Sequence, residues 1–177
     1  MPFQLVPSIR IIFLCVAASI LYGLIHDQIT ARICIEYFTV AHPHVLDTSS
    51  PTLIALYWGV AATWWVGFML GVPLAIACRA GSRPQLSFLQ LVRPIRLLLF
   101  CMAVCAIVSG IIGFVLSSRG IVSVGYWSSV IPASAHARFL ADAYSHLASY
   151  ASGFLGGIII IVWAVRRRRQ LHATGIA

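Results

Sequence analysis

Four long apolar stretches constrain the fold of this chain more than any other feature of its sequence. Three of them, 53–78, 97–116 and 139–165, reach the about 20 residues that a helix needs to cross the roughly 30 Å hydrocarbon core of a bilayer. The fourth, 7–27, has a shorter apolar centre, and its polar ends extend it to spanning length. Charged residues make up only 9% of the chain, which excludes an ordinary soluble domain. The sequence predicts an all-α membrane protein, a four-transmembrane-helix bundle that forms a single integral membrane domain over 1–177.

The N-terminal stretch has a second interpretation, as a secretory signal peptide. Arg10 precedes an apolar run of suitable length, which is typical of such peptides. No small-x-small cleavage site follows the run, and polar residues recur on one helical face within it. These two observations favour a membrane-spanning helix.

The distribution of arginine predicts the orientation of the bundle. All twelve basic residues are arginine. With both termini in the cytoplasm, nine arginines lie in cytoplasmic segments and three, Arg32, Arg119 and Arg138, lie on the other side, as the positive-inside rule requires. We therefore expect an integral protein of a bacterial inner membrane, with N- and C-termini cytoplasmic and a cytoplasmic tail at 166–177. The net charge of +8 then reports orientation and contact with the lipid bilayer, and no nucleic-acid partner is expected.

Three further patterns concern the shape of the bundle. The segment 27–40 mixes charged and apolar residues, which predicts a short amphipathic outer helix between the first and second spans. Pro73 lies inside the second span and predicts a bend or a weakened backbone hydrogen bond there. Small residues recur every four positions in the last three spans, which favours close helix packing. The same stripes are compatible with a homo-oligomer or a larger membrane complex.

Ionisable residues gather at the predicted outer ends of the helices. Five of the six histidines and all four acidic residues lie in two stretches, with members His26, Asp27, Glu36, His42, His44, Asp47, His136, Asp142 and His146. Ionisable groups are costly near lipid, so such a gathering is a site hypothesis by default. Asp142 and His146 are four residues apart and share a helical face, while His26 ends a polar stripe on the first helix.

The residue types in this gathering indicate a metal site. Imidazole and carboxylate without clustered thiolates suit zinc, iron, manganese or copper(II). The candidate metal ligands are His26, Glu36, His42, His136, Asp142 and His146, and Glu36 is also the candidate catalytic base. The Glu-x-x-His pairs of four-helix di-iron proteins do not occur. Two structural alternatives stay open, an Arg32–Glu36 ion pair and an Asp142 carboxylate that pairs with His146 or Arg138.

The leading interpretation is a membrane-embedded metal-binding protein with a His/carboxylate site at the outer face. An open coordination position would make it a metal-dependent enzyme. Two alternatives remain at this stage. One is a non-catalytic small subunit or assembly factor of a larger membrane complex, and the other is a haem-binding electron-transfer protein with His26 and His146 as axial ligands.

Overall fold

A computed structural model describes residues 5–174, and these residues form helices and loops without a β-strand. The helices are α1 (Leu5–Ile33), α2 (Ile35–Val40), α3 (Pro51–Ala61), α4 (Trp64–Arg79), α5 (Phe88–Ser118) and α6 (His136–Ala173). Two short 3-10 helices, Gly125–Ser129 and Ala133–Ala135, lie between α5 and α6. The helices run up and down, so the bundle has two ends. We call the end with Ile33 and His136 the histidine end and the end with Arg79 and Arg168 the arginine end.

Four helical units are long and apolar enough to cross a membrane, namely Leu5–Ile33, Pro51–Arg79, Phe88–Ser118 and Ala133–Ala173. This confirms the predicted all-α architecture with four helices of spanning length. Each unit is longer than the sequence predicted. The difference matters most in α1, because the helix continues six residues past the expected boundary at residue 27 and so places His26 and Asp27 inside it.

The segment 27–40 divides into two parts. Its first part completes α1, and after Cys34, whose backbone is extended, a six-residue helix α2 follows. Phe38 of α2 is buried against Ala31 and Ala55, so α2 packs onto the histidine end of the bundle. A separate amphipathic helix on the membrane surface stays a prediction.

The second span is interrupted at Ala62 and Thr63, between α3 and α4, whereas α4 continues through Pro73. Carbonyl groups at a helix interruption need new partners. The Tyr150 hydroxyl of α6 donates to the carbonyl of Ala62 at 3.2 Å, and the Thr63 hydroxyl donates to the carbonyl of Gly59 at 2.5 Å. The carbonyl groups of Ala62 and Gly59 at the interruption are therefore hydrogen-bonded, one to α6 and one to Thr63.

Backbone contact joins α1 to the second span. A Cβ atom on Gly67 would lie 2.6 Å from the backbone oxygen of Cys15 and 2.7 Å from Cα of Val16. A Cβ on Gly59 would lie 2.8 Å from Cα of Leu24. Only glycine permits this approach, which fixes which face of α1 turns toward α6.

Replacing Gly67 with alanine should separate α1 from α4. The added methyl group meets backbone atoms that cannot move aside, so we expect the free energy of unfolding to fall by about 1–3 kcal/mol. Gly71→Ala is the matched control, because its Cβ would lie 3.1 Å from the Cys15 side chain and 3.2 Å from Cα of Ile12. Thermal unfolding in detergent measures both, and equal stability of the two variants would contradict the proposed contact.

One buried arginine holds α6 at the arginine end. Arg168 is 5% exposed, and its guanidinium group donates hydrogen bonds to four carbonyl oxygens. The acceptors are Ala77 at 2.8 Å, Ala80 at 2.7 Å, Arg83 at 3.0 Å and Pro84 at 2.8 Å. The C-terminal carbonyls of a helix lack donors within the helix and carry partial negative charge. Arg168 therefore ties α6 to the end of α4 and to the loop that follows it.

Arg168→Gln should lower the free energy of unfolding by about 2–4 kcal/mol, because several carbonyl groups lose a charged donor. The neighbouring Arg169 is exposed, so Arg169→Gln is the matched control and should leave stability nearly unchanged. Thermal unfolding in detergent compares the two. A large loss in the Arg169 variant and none in the Arg168 variant would contradict this account.

Candidate metal centre

Three ionisable side chains from two helices converge at the histidine end. His26 and Asp27 are consecutive residues of α1, and His146 lies on α6. One potential ligand atom from each of them lies within 4.8 Å of the others. The Nε2 atom of His146 is 3.3 Å from Oδ1 of Asp27, and the rings of His26 and His146 meet edge to face with centroids 4.6 Å apart. We call these three residues the histidine–aspartate trio.

A hydrogen bond one turn away fixes the two helices at this depth. The hydroxyl groups of Tyr22 on α1 and Ser149 on α6 are 2.7 Å apart. Tyr22 also stacks on the ring of His26, with centroids 5.6 Å apart. The trio therefore does not depend on a loop for its geometry.

One hydrogen bond of the His146 ring defines its tautomer. Its Nδ1 atom is 2.8 Å from the backbone oxygen of Asp142, and a carbonyl oxygen can only accept, so Nδ1 carries the proton. In the neutral imidazole the lone pair is then on Nε2, which is the form that binds a metal. The Nε2 atoms of both His26 and His146 are buried and make no hydrogen bond to any residue between 5 and 174.

Asp142 lies one helical turn before His146 and is 0% exposed. Neither of its carboxyl oxygens has a hydrogen-bond partner among the residues that the structure describes. The backbone N–H of Cys34 is near this carboxyl group but donates to the carbonyl of Thr30 at 3.0 Å. Asp27 and Glu36 are the acidic residues near this carboxyl group. A bound cation would offset the cost of burying these acidic groups together.

The structure does not contain the ion pairs that the sequence left open, between Arg32 and Glu36 and between the Asp142 carboxylate and His146. Arg32 donates to Gln28 and to Thr52 rather than to Glu36. His146 bonds to the backbone of Asp142 rather than to its carboxylate. The acidic groups at this end are thus left without an arginine partner in these contacts.

Two predicted site residues, Glu36 and His42, lie in α2 and in the loop after it, which pack on the histidine end of the bundle. Glu36 accepts a hydrogen bond from the Cys34 thiol at 3.2 Å. Burial and the neighbouring Glu36 raise the pKa of Cys34 to about 12, so the thiol stays protonated as the donor. His42 donates from Nδ1 to the carbonyl of Tyr37 at 2.9 Å. Burial lowers the pKa of His42, which keeps the ring neutral at pH 7 and leaves a lone pair on Nε2.

The structure places His136 outside the trio. Its Nε2 atom donates to the carbonyl of Ile131 at 3.0 Å, which anchors the start of α6 to the preceding loop. Of the six predicted ligands, His26 and His146 are thus brought together directly. Asp142 lies one turn before His146, His42 lines the adjoining cavity, Glu36 lies in α2, and His136 bonds to the loop before α6.

A cavity of about 80 Å³ adjoins the trio. Its lining includes His26, Asp27, His42 and His146, and it continues inward past the hydroxyl-bearing side chains Ser19, Tyr22, Thr63, Ser149 and Tyr150. One water occupies about 30 Å³ of liquid volume. The cavity is therefore large enough to hold water beside the potential ligands.

The sequence did not single out Asp27 as a ligand. Asp27 belongs to the predicted polar gathering, but it stood at the expected end of the first span, where an acidic residue needs no explanation. In the structure it is buried within α1. The available signal was its position next to His26 in a chain that contains only four acidic residues.

The chain matches no protein-family model, no curated protein and no solved structure. Its function is therefore inferred from the chemistry and geometry of the site.

Replacing Asp142 with leucine, which has a similar shape, should stabilise the metal-free protein by about 1–3 kcal/mol, because it removes a buried polar group without hydrogen bonds. Thermal unfolding in detergent with a chelator measures the effect. Asp47 is exposed in the loop before α3, so Asp47→Leu is the control and should change stability little. A clear loss of stability in the Asp142 variant would show that its carboxyl group has favourable partners in the protein.

Proposed function

We propose that this chain is a membrane-embedded metal-binding protein in which His26, Asp27 and His146 are the metal ligands. The observation that carries the proposal is the trio itself, whose potential ligand atoms lie within 4.8 Å of one another. The Nε2 atoms of His26 and His146 are buried and have no hydrogen-bond partner in 5–174. Two histidines and one carboxylate with open positions form the donor set of many non-haem iron(II) enzymes and, in related form, of catalytic zinc sites. The metal is thus zinc, iron, manganese or copper(II).

The surroundings of the trio support a catalytic role. The adjoining cavity leaves space for water or substrate at an open coordination position, where a metal acts as a Lewis acid or generates a nucleophile. Asp142 and His42 are the further candidate ligands. Glu36, which accepts a hydrogen bond from the Cys34 thiol, is the proposed proton acceptor. The protein would then be a metal-dependent enzyme.

The arginine distribution supports the orientation of this site. With both termini in the cytoplasm, nine of the twelve arginines lie on the cytoplasmic side. The arginine end then faces the cytoplasm, and the histidine end lies at the outer face of a bacterial inner membrane.

Haem is a poorer occupant of the site than a single ion. Two axial histidines must stand on opposite faces of a porphyrin ring. The rings of His26 and His146 are in edge-to-face contact at 4.6 Å, and the adjoining cavity has a volume of about 80 Å³. Both observations favour a small ion and its water ligands.

The test is elemental analysis of protein purified without a polyhistidine tag, beside His26→Ala and His146→Ala variants. We expect near-stoichiometric metal in the unmodified protein. Metal affinity should fall by more than about 100-fold in each variant, since even residues that only orient a ligand contribute about 10–100-fold. Asp27→Asn keeps the shape of the side chain and removes its charge, so it should weaken binding as well.

His44 provides the matched control. It is exposed in the loop before α3 and outside the trio, so His44→Ala should keep its metal. Metal that survives in both the His26 and His146 variants would remove the trio as the binding site. Folded protein that never contains or takes up metal would favour the alternative, a non-catalytic subunit or assembly factor of a larger membrane complex.

A further inference from the structure

A second and larger space lies between α1 and α5 on the lipid-facing side of the bundle. Its volume is about 560 Å³, which falls within the roughly 300–1,000 Å³ of small-molecule sites. Near the arginine end, α1 and α5 contribute to one apolar core that includes Ile11 and Ile95. Toward the histidine end they diverge and leave this groove, which extends along α1 from Leu21 to Ile33. We call it the lateral groove.

The lateral groove has large rims and a floor of small residues. Its rims carry exposed apolar side chains, Ile25, Ile29, Ile33, Phe100, Ile107, Ile111 and Phe114. Its floor includes Ala103, Ala106, Gly110 and Ala141. The result is an apolar groove that opens at the side of the bundle, between large rims and over a floor of small residues.

The shape of the lateral groove favours a flexible chain over another helix. Helices pack closely in membranes where both partners present small residues. The α1 wall contributes no glycine or alanine to the lining, and its isoleucines project beside the opening. A helix would be held off by these rims, whereas a single hydrocarbon chain can reach the alanines of the floor.

The lateral groove shares a wall with the metal centre. Tyr22 and His26 line both the groove and the cavity of the histidine–aspartate trio. The other hydroxyl groups in the groove already have partners, since Thr30 donates to the carbonyl of His26 at 3.1 Å and Ser145 to that of Ala106 at 3.0 Å. An occupant of the groove therefore passes the imidazole of His26, the candidate ligand.

We propose that the lateral groove binds the hydrocarbon chain of a lipid-soluble substrate, which enters sideways from the bilayer and passes against His26. This rests on the proposed metal centre, whose substrate class it names. His26 precedes Ile33 by seven residues, or roughly 10 Å along the helix. The part of the substrate that reaches His26 has therefore passed the exposed apolar side chains of the α1 rim, which favours amphiphiles over small water-soluble molecules.

The test is photolabelling in phosphatidylcholine vesicles with palmitic acid that carries a diazirine in the middle of its chain. Mass spectrometry should find the label concentrated on groove residues of α1 and α5, and unlabelled oleic acid should compete it away there. Ala103→Phe fills the floor and should lower groove labelling by about tenfold, equivalent to ~1.4 kcal/mol. Val104 is 43% exposed and outside the groove lining. Val104→Phe is therefore the matched control, and its groove residues should be labelled as strongly as those of the unmodified protein.

Uniform labelling of all lipid-facing residues, without competition by oleic acid, would overturn the proposal even if the Ala103 variant failed to fold. An unlabelled groove together with a dimer that Ala103→Phe dissociates would assign the groove to a second copy of the chain. Metal content is measured on the same samples. Competed groove labelling in protein that binds no metal would refute the metal centre and leave a lipid-binding groove, whereas metal with uniform labelling would refute the groove alone.

Discussion

The close backbone contact between α1 and the second span is the constraint on which the other features of the bundle depend. Glycines at Gly23, Gly59 and Gly67 let the two helices approach until a methyl group would not fit. Because this face of α1 packs against the second span, the directions of its other faces are also fixed. One turns His26 and Asp27 toward α6, and the other forms a wall of the lateral groove. The histidine–aspartate trio and the lateral groove are thus two consequences of one helix packing arrangement.

The two ends of the bundle hold buried polar groups in opposite ways. At the arginine end, the guanidinium group of Arg168 donates to carbonyl oxygens at the end of α4 and in the loop after it. These carbonyl groups accept its hydrogen bonds and lie close to its charge. At the histidine end acidic groups and imidazoles are buried together, and several of their atoms have no partner within 5–174. A fully satisfied cluster stabilises structure, whereas an unsatisfied one lowers stability unless something binds there. This contrast is the physical reason to assign function to the histidine end.

The wall formed by Tyr22 and His26 connects the two proposals. On its inner side is a small cavity with hydroxyl and imidazole groups, and on its outer side is an apolar groove that opens at the surface of the bundle. A metal ligand that also touches the hydrocarbon groove would bring a lipid-soluble molecule to the metal without passage through water.

The sequence by itself determined that the chain forms four helices of membrane-spanning length, because that depends only on the length and polarity of apolar stretches. It also indicated where the ionisable residues gather, since these are few and clustered. It did not determine which of them meet. Asp27 was unremarkable at a predicted helix end and became a potential ligand only because α1 continues to Ile33, and Arg168 was one of four equivalent arginines until α6 placed it beside the end of α4. Tertiary structure likewise decided three other features, because each depends on how the chain packs. These are the interruption at Ala62, the hydrogen bond of His136 to the preceding loop, and the lateral groove.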